Sequence, residues 1–188
     1  MHWYLWLDLE TTGLNPYQDR ILEVGWELAY GTSIPHRPSR RVIHIPNLCP
    51  SHFSDGEQGI AWKMHTDNGL ISDCQAEGCG HELLFVENDI IQEMDALTSV
   101  GTKIHLAGSS IHFDRRFIRA NMPRLDGWLH YRMMDVTSVW MAVHEAGLHV
   151  NGMDVAHRAP DDVVESEKMW LRCLDAMETR LDKIPHSC

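Results

Sequence analysis

Acidic residues and one histidine stand in three separated runs of this chain: Asp8 and Glu10 in LWLDLETTGL, Asp114 in AGSSIHFDRRF, and His157 with Asp162 in AHRAPDDV. Drawn together, four carboxylates make an all-oxygen site for hard divalent cations, and a neutral imidazole beside them can take up a proton. That set is what two-metal phosphodiester hydrolysis needs, where ions about 3.5–4 Å apart activate water and stabilise the departing oxygen. Mg²⁺ or Mn²⁺ suits the donors, and Asp8 is the candidate bridge.

The elements that must position these groups can be read locally. Residues 3–8 (WYLWLD) are aromatic and aliphatic as in a buried strand, and positions i and i+2 of a strand share a face, so Asp8 and Glu10 project together. Thr11, Thr12 and Gly13 then turn the chain, leaving the acids at the strand's carboxyl end, where open α/β sheets bind ligands. Two solvated acids at a strand end would give the same pattern. Residues 103–107 read as a short strand, 108–110 as a turn and 111–121 as a helix with Ile111, Phe117 and Ile118 facing the sheet. Asp114 lies one turn into that helix, where the helix dipole alone would favour an acid. A final helix over 160–181 starts at Pro160 and offers Val163, Met169, Trp170, Leu174 and Met177 to the core. Asp161 and Asp162 are adjacent but about 100° apart around that helix, and periodicity does not choose between them.

Residues 21–30 and 41–45 read as strands two and three, 57–65 as a short helix, 70–82 as a polar loop and 87–99 as a helix. No internal repeat or low-complexity tract interrupts the order.

The sequence D-x-E, an acid in a strand-turn-helix, then H-x-A-x-x-D resembles the DEDDh exonucleases, and within them the oligoribonucleases. WLDLETTGLNPYQDRILEVG is similar to the first motif of that family, LAGSSIHFDRRFIRANMPRLDGWLHYRMMDV to the long central one, HRAPDDVVES to the last, and HTDNGL at 65–70 to a further segment. The likeness runs from about residue 4 to residue 172. It implies a single domain over 1–188 with a ribonuclease H-like exonuclease fold, an α/β architecture with a central mixed five-stranded sheet flanked by helices. It implies that Asp8, Glu10, Asp114 and Asp162 bind two divalent ions with His157 as general base, and the H-x-A-x-x-D register selects Asp162. It further places Leu14 against the 3′-terminal base, Trp62 and His65 near the bases, Ser110 near the backbone, and Tyr131 and Arg132 at the far end of a short substrate. A homodimer is implied, in which the tyrosine of HYR reaches the neighbouring protomer's site. The chain departs from the family pattern at Thr11 for Met, Ser109 for Asn, Pro160 for Leu, and in the three-residue gap from Trp62 to His65.

Composition limits the remaining classes. A chain of 188 residues can bury a full single-domain core, and no apolar run reaches membrane length. Five cysteines without dense spacing fit a reducing cytoplasm better than a disulfide scaffold. With 16 Lys and Arg against 27 Asp and Glu, a net charge of −11 opposes binding along a polyanion, so substrate must be held by cations and local contacts. That favours short oligonucleotides over long duplexes, and the resemblance makes them single-stranded RNA. The expected function is a 3′-to-5′ exonuclease on short oligoribonucleotides, with a proofreading-type single-stranded DNA exonuclease, suggested by DLETTGL, and a non-catalytic nucleic-acid-binding module as alternatives. A zinc site from Cys49, His52, Cys74, Cys79 and His81 is chemically conceivable, but C-x-x-C knuckles are absent and loop thiols in a reduced protein are preferred.

Overall fold

The computed structural model describes residues 1–181 apart from Cys79 and Val155. Strand β1 (Trp3–Thr11) is the middle of the sheet, and its alternation splits the core in two. Leu5, Leu7 and Leu9 enter one cluster with Leu22, Val24, Trp26 and Phe117, while Trp6 faces the other with Ala29, Val143, Val163 and Met169. Strand β2 (Ile21–Tyr30) pairs antiparallel with β1, from Trp3 opposite Tyr30 to Glu10 opposite Glu23, and the register shifts between Glu10 and Thr11. Strand β3 (Ser39–Val42) continues the antiparallel edge. Expected at 41–45, this strand ends at Val42: the Ile43 N–H still reaches Leu22 of β2, but the His44 N–H turns to His81 and the Ile45 N–H to Cys74.

Helix α1 (Ile60–Asp67) and helix α2 (Leu70–Gln75) follow, separated by Gly69 at φ 82°. Helix α2 corrects the polar loop expected over 70–82: Leu70, Ile71 and Cys74 lie buried on one face, which the polar residues between them conceal in the sequence. Helix α3 (Leu83–Leu97) starts four residues before the expected 87, and buries Val86, Glu87, Ile90 and Met94. Glu87 is buried because its carboxylate accepts from the free N–H groups of Arg124 (2.8 Å) and Leu125 (3.0 Å) at the start of a later helix.

Strand β4 (His105–Gly108) runs parallel to β1 through Tyr4, Leu5 and Trp6 only. Helix α4 (His112–Asn121) packs Phe117 and Ile118 inward, with Ile111 buried just before it, as the periodicity required. Short α5 (Pro123–Trp128), strand β5 (Met134–Asp135), parallel to β4, and α6 (Val136–Glu145) complete the sheet order β3-β2-β1-β4-β5. Helix α7 (Ala159–Leu181) then crosses β1 and β2 on the Trp6 face, burying Val163, Met169 and Cys173, with Trp170 and Met177 at its margin. The mixed five-stranded sheet flanked by helices is the expected architecture. Among the described residues, no helix is long and apolar enough to cross a membrane.

Candidate active site

Trp6, Asp8 and Glu10 alternate onto the β1 face that α7 covers, and antiparallel pairing places Glu27, Gly25 and Glu23 beside them on β2. Gly25 is required there, since a Cβ would lie 2.5 Å from the Ala159 carbonyl carbon. This close approach brings the first turn of α7 directly over the acids.

Asp114 arrives from the other side. Strand β4 leaves β1 after Trp6, so the Leu9 N–H has no ladder partner there, and Asp114 Oδ1 accepts it at 3.0 Å. Gly108 lets the chain turn at this point, because a Cβ would stand 2.7 Å from the Leu7 carbonyl oxygen. Asp162, in the first turn of α7, accepts the Ala156 N–H at 2.9 Å. His157 is exposed at φ 55°. Ligand atoms of Glu10, His157 and Asp162 all lie within 4.8 Å of one another. The three distant sequence runs therefore meet, and Asp162 rather than exposed Asp161 is buried among the acids.

The electrostatics follow from that crowding. Burial, then the charges of Asp162 and Glu23, pushes the Asp8 carboxyl up to about 8. Burial, then Asp8, Asp162 and Glu23, pushes Glu10 up to about 9. Asp114 is also held well above its ordinary value by burial and by Asp8. Asp162 is raised by burial, against the opposing pull of the Ala156 N–H and His157. Four carboxyls that resist joint ionisation are the donor set a divalent cation would stabilise, so these residues fit the group implied by their chemistry.

Of the other expected site residues, Leu14, Trp62 and His65 belong to the turn after β1 and to α1, Ser110 follows β4, and Tyr131 and Arg132 stand by His105 at the start of β4, level with Tyr4 rather than with Asp8 and Glu10. Leu14 is 74% exposed at the rim of a cavity of about 760 Å³ lined also by Gly13, Ile60, Met64 and Arg116. Trp62 is half-buried, with its ring edge-on to Phe53 at 5.1 Å. His65 sits beneath the acids rather than on the open surface: it is 1% exposed, 3.2 Å from the Thr11 carbonyl and 3.7 Å from Glu10. Burial lowers its pKa, favouring a neutral ring whose Nε2–H donates to Thr11. Ser110, exposed at φ 50°, donates its backbone N–H to Thr137. Tyr131 is exposed, stacked on His130 at 4.5 Å and covered by the Arg132 guanidinium at 4.9 Å.

Of the zinc candidates, Cys49 contacts Ser51 and His52, whereas the buried Cys74 thiol points at the Leu22 carbonyl and is pushed up to about 12 by burial. A thiol so hard to ionise is a poor ligand. Cys79 lies outside the described residues.

The sequence reading missed a second set: Glu23, Arg158, Asn68 and Asp73. Glu23 is fully buried opposite Glu10 and is bonded to Arg158, Arg40 and the Ala159 N–H. Its only local signal is an acid inside the apolar run ILEVGWEL.

No protein-family model matches the chain. It is 32% identical over 176 residues to an oligoribonuclease of Baumannia cicadellinicola subsp. Homalodisca coagulata, covering 88% of this chain and 89% of that one. The chain belongs to the oligoribonuclease family. An oligoribonuclease of Salmonella typhimurium (strain LT2) is 31% identical over 172 residues, covering 86% and 88% of the two chains. That of Mycobacterium leprae (strain TN) is 31% identical over 169 residues, covering 86% and 75%. Among solved structures, E. coli exonuclease I in complex with a 5cy-dT13 oligonucleotide superposes with a TM-score of 0.66 at 16% identity, over 96% of this chain and 42% of that one. This second likeness shows the fold, that of a ribonuclease H-like exonuclease, and this chain spans less than half of exonuclease I.

Proposed function

We propose that this oligoribonuclease-family chain is a metal-dependent 3′-to-5′ exonuclease that trims short single-stranded oligoribonucleotides to nucleoside 5′-monophosphates. The observation that carries the reading is the convergence of Asp8, Glu10, Asp114, His157 and Asp162 from three distant segments, with Glu10, His157 and Asp162 in mutual reach. Asp8, Glu10, Asp114 and Asp162 would hold two Mg²⁺ or Mn²⁺ ions. When bound, the ions supply Lewis acidity for an attacking water and for the departing 3′-oxygen.

The chain's own groups do the rest. His157, exposed and beside Glu10 and Asp162, accepts the proton of the attacking water. Asp114 fixes the β1 backbone through Leu9 and so holds Asp8 and Glu10 in register. The cavity beside Leu14 takes the terminal base, with Arg116 at its rim for phosphate and Trp62 near by. His65 supports Thr11 and Glu10 from below the bases. Ser110 faces the backbone, and exposed Tyr131 and Arg132 reach the 5′ end of substrate in the neighbouring protomer's site of a homodimer. Free thiols at Cys49, Cys74 and Cys173 suit a reducing cytoplasm.

The fold of exonuclease I, solved with oligodeoxythymidylate, supports a second reading, in which the substrate is single-stranded DNA. A panel of 5′-labelled RNA and DNA from two to twenty nucleotides, with Mg²⁺ and with Mn²⁺, separates them. Shortening from the 3′ end of two- to five-nucleotide RNA is expected; equal or better cleavage of twenty-nucleotide DNA would favour the second reading, and no cleavage of either would defeat both.

A further inference from the structure

The backbone that carries His157 is tied down by a polar network that the proposed chemistry does not use. Glu23, fully buried on β2, accepts the Ala159 N–H at 2.9 Å, the Arg158 Nη2 at 2.9 Å and the Arg158 Nε at 3.2 Å, and also bonds Arg40 of β3. Arg158 extends the network to Asp73 of α2 at 2.7 Å and to the Asn68 carbonyl at 3.1 Å. Asn68 then donates its side-chain amide to the His157 carbonyl at 2.5 Å. The peptide groups on both sides of Arg158 are therefore held, from β2 and from the turn after α1, and the side chains that hold them are tied to β3 and α2.

Two physical points give this network a purpose. A φ of 55° at His157 lies in the left-handed region, which a residue with a Cβ keeps only where its surroundings impose it. A buried ion pair contributes little net stability against a well-packed apolar pair, so its value is geometric. Arg158 is also unsuited to holding substrate phosphate, since its side chain is 18% exposed and its donors are occupied by Glu23, Asp73 and Asn68.

We propose that Glu23 and Arg158 are positioning residues: their ion pair pins the chain around His157 and aims its imidazole at Glu10 and Asp162. The role given to His157 rests on the nuclease reading; the pin itself does not. Glu23 thus answers why a further acid is buried beside Asp8 and Glu10. It anchors α7 to β2 and neutralises its own charge on Arg158 and Arg40.

The test compares wild type with Arg158→Met, Arg158→Lys, Glu23→Gln and His157→Ala, and with Arg158→Met combined with His157→Ala. Amide hydrogen exchange is read on the full chain, and single-turnover cleavage of a 5′-labelled RNA dinucleotide in Mn²⁺ across pH. In Arg158→Met, exchange over 156–162 is expected to quicken about tenfold or more while β1, β2 and α3 keep their protection. Its cleavage rate is expected to fall about 30- to 100-fold with dinucleotide and Mn²⁺ affinities within about threefold, and its pH profile to take the form of His157→Ala. The double variant is then no slower than His157→Ala alone, because both changes remove one function. Arg158→Lys recovers part of the rate, and Glu23→Gln, which keeps an acceptor for the Ala159 N–H, repeats the test if Arg158→Met does not fold. Unchanged exchange over 156–162, a loss that multiplies with that of His157→Ala, or a change in substrate affinity alone would overturn the proposal. If wild type cleaves nothing, the nuclease reading fails and the exchange result alone decides the pin.

Discussion

Asp8 and Glu10 set how the molecule behaves without cations. Their carboxyls are raised to about 8 and about 9, chiefly by burial, against unfolded values near ~4. Between those limits the folded chain holds more protons than the unfolded one. The resulting stability is therefore full below about pH 4 and is lost as pH climbs through about 8 to 9. In chelator, Tm is expected to fall from about pH 5 to about pH 9, and Mn²⁺ to arrest most of that fall; about 1 kcal/mol reads as roughly 2–4 °C at this size. Asp8→Asn flattens the pH dependence and removes most of the Mn²⁺ effect, whereas a wild-type Tm indifferent to both pH and Mn²⁺ would sink the cation reading. Glu167, pushed up to about 9 by burial and then by Glu27, adds a fall of the same sign away from the acids. That share persists in Mn²⁺ and disappears in Glu167→Gln. A second residue-scale comparison separates neighbours: Asp162 is buried and holds the Ala156 N–H, while Asp161 is exposed. Asp162→Ala is expected to abolish cleavage and Asp161→Ala to leave most of it; the reverse result would reassign the last motif.

At the scale of elements, the contact that matters most is α7 lying on β2 at Gly25. A methyl group there meets the Ala159 carbonyl carbon at 2.5 Å and its oxygen at 2.7 Å, both main-chain atoms, so the helix has to move. Gly25→Ala is expected to cost about 1–3 kcal/mol, measurable by urea unfolding, and to slow cleavage by displacing His157. A variant of wild-type stability would mean that α7 is free to shift. Local pattern made much of this arrangement legible. The Asp8/Glu10 alternation, the strand-turn-helix before Asp114, and the apolar positions Val163 and Met169 each follow from one element's period. What stayed hidden depends on pairing between elements. Nothing near Glu23 states that it will stand opposite Glu10 or meet Arg158, 135 residues away. Helix α2 was hidden for a related reason: Leu70, Ile71 and Cys74 become a face only when β2 and β3 lie beneath them.

For the whole molecule, charge and shape together bear on substrate length. A net charge of −11 leaves little basic surface to track a long polyanion, and cleavage is expected to show a shallow dependence on monovalent salt. Beside His105 at the start of β4, Arg132 covers the exposed Tyr131 ring, which stacks on His130. Those side chains form a compact ledge. If this ledge receives the 5′ end of substrate held in the neighbouring protomer's site, each nucleotide beyond the first few must displace it, so a limit on length follows from the same contact that gives affinity. Arg132→Ala is then expected to weaken binding of a 5′-phosphorylated RNA dinucleotide by about 1.5–3 kcal/mol, the scale of a charged hydrogen bond, with little effect on the unphosphorylated one. Calorimetry on a cleavage-defective Asp114→Ala background, at concentrations spanning any dimer dissociation seen by sedimentation, measures both terms. A monomer that binds both dinucleotides equally, and whose wild-type form degrades twenty-nucleotide DNA as fast as dinucleotide RNA, would remove the end cap and leave an open-groove exonuclease in its place.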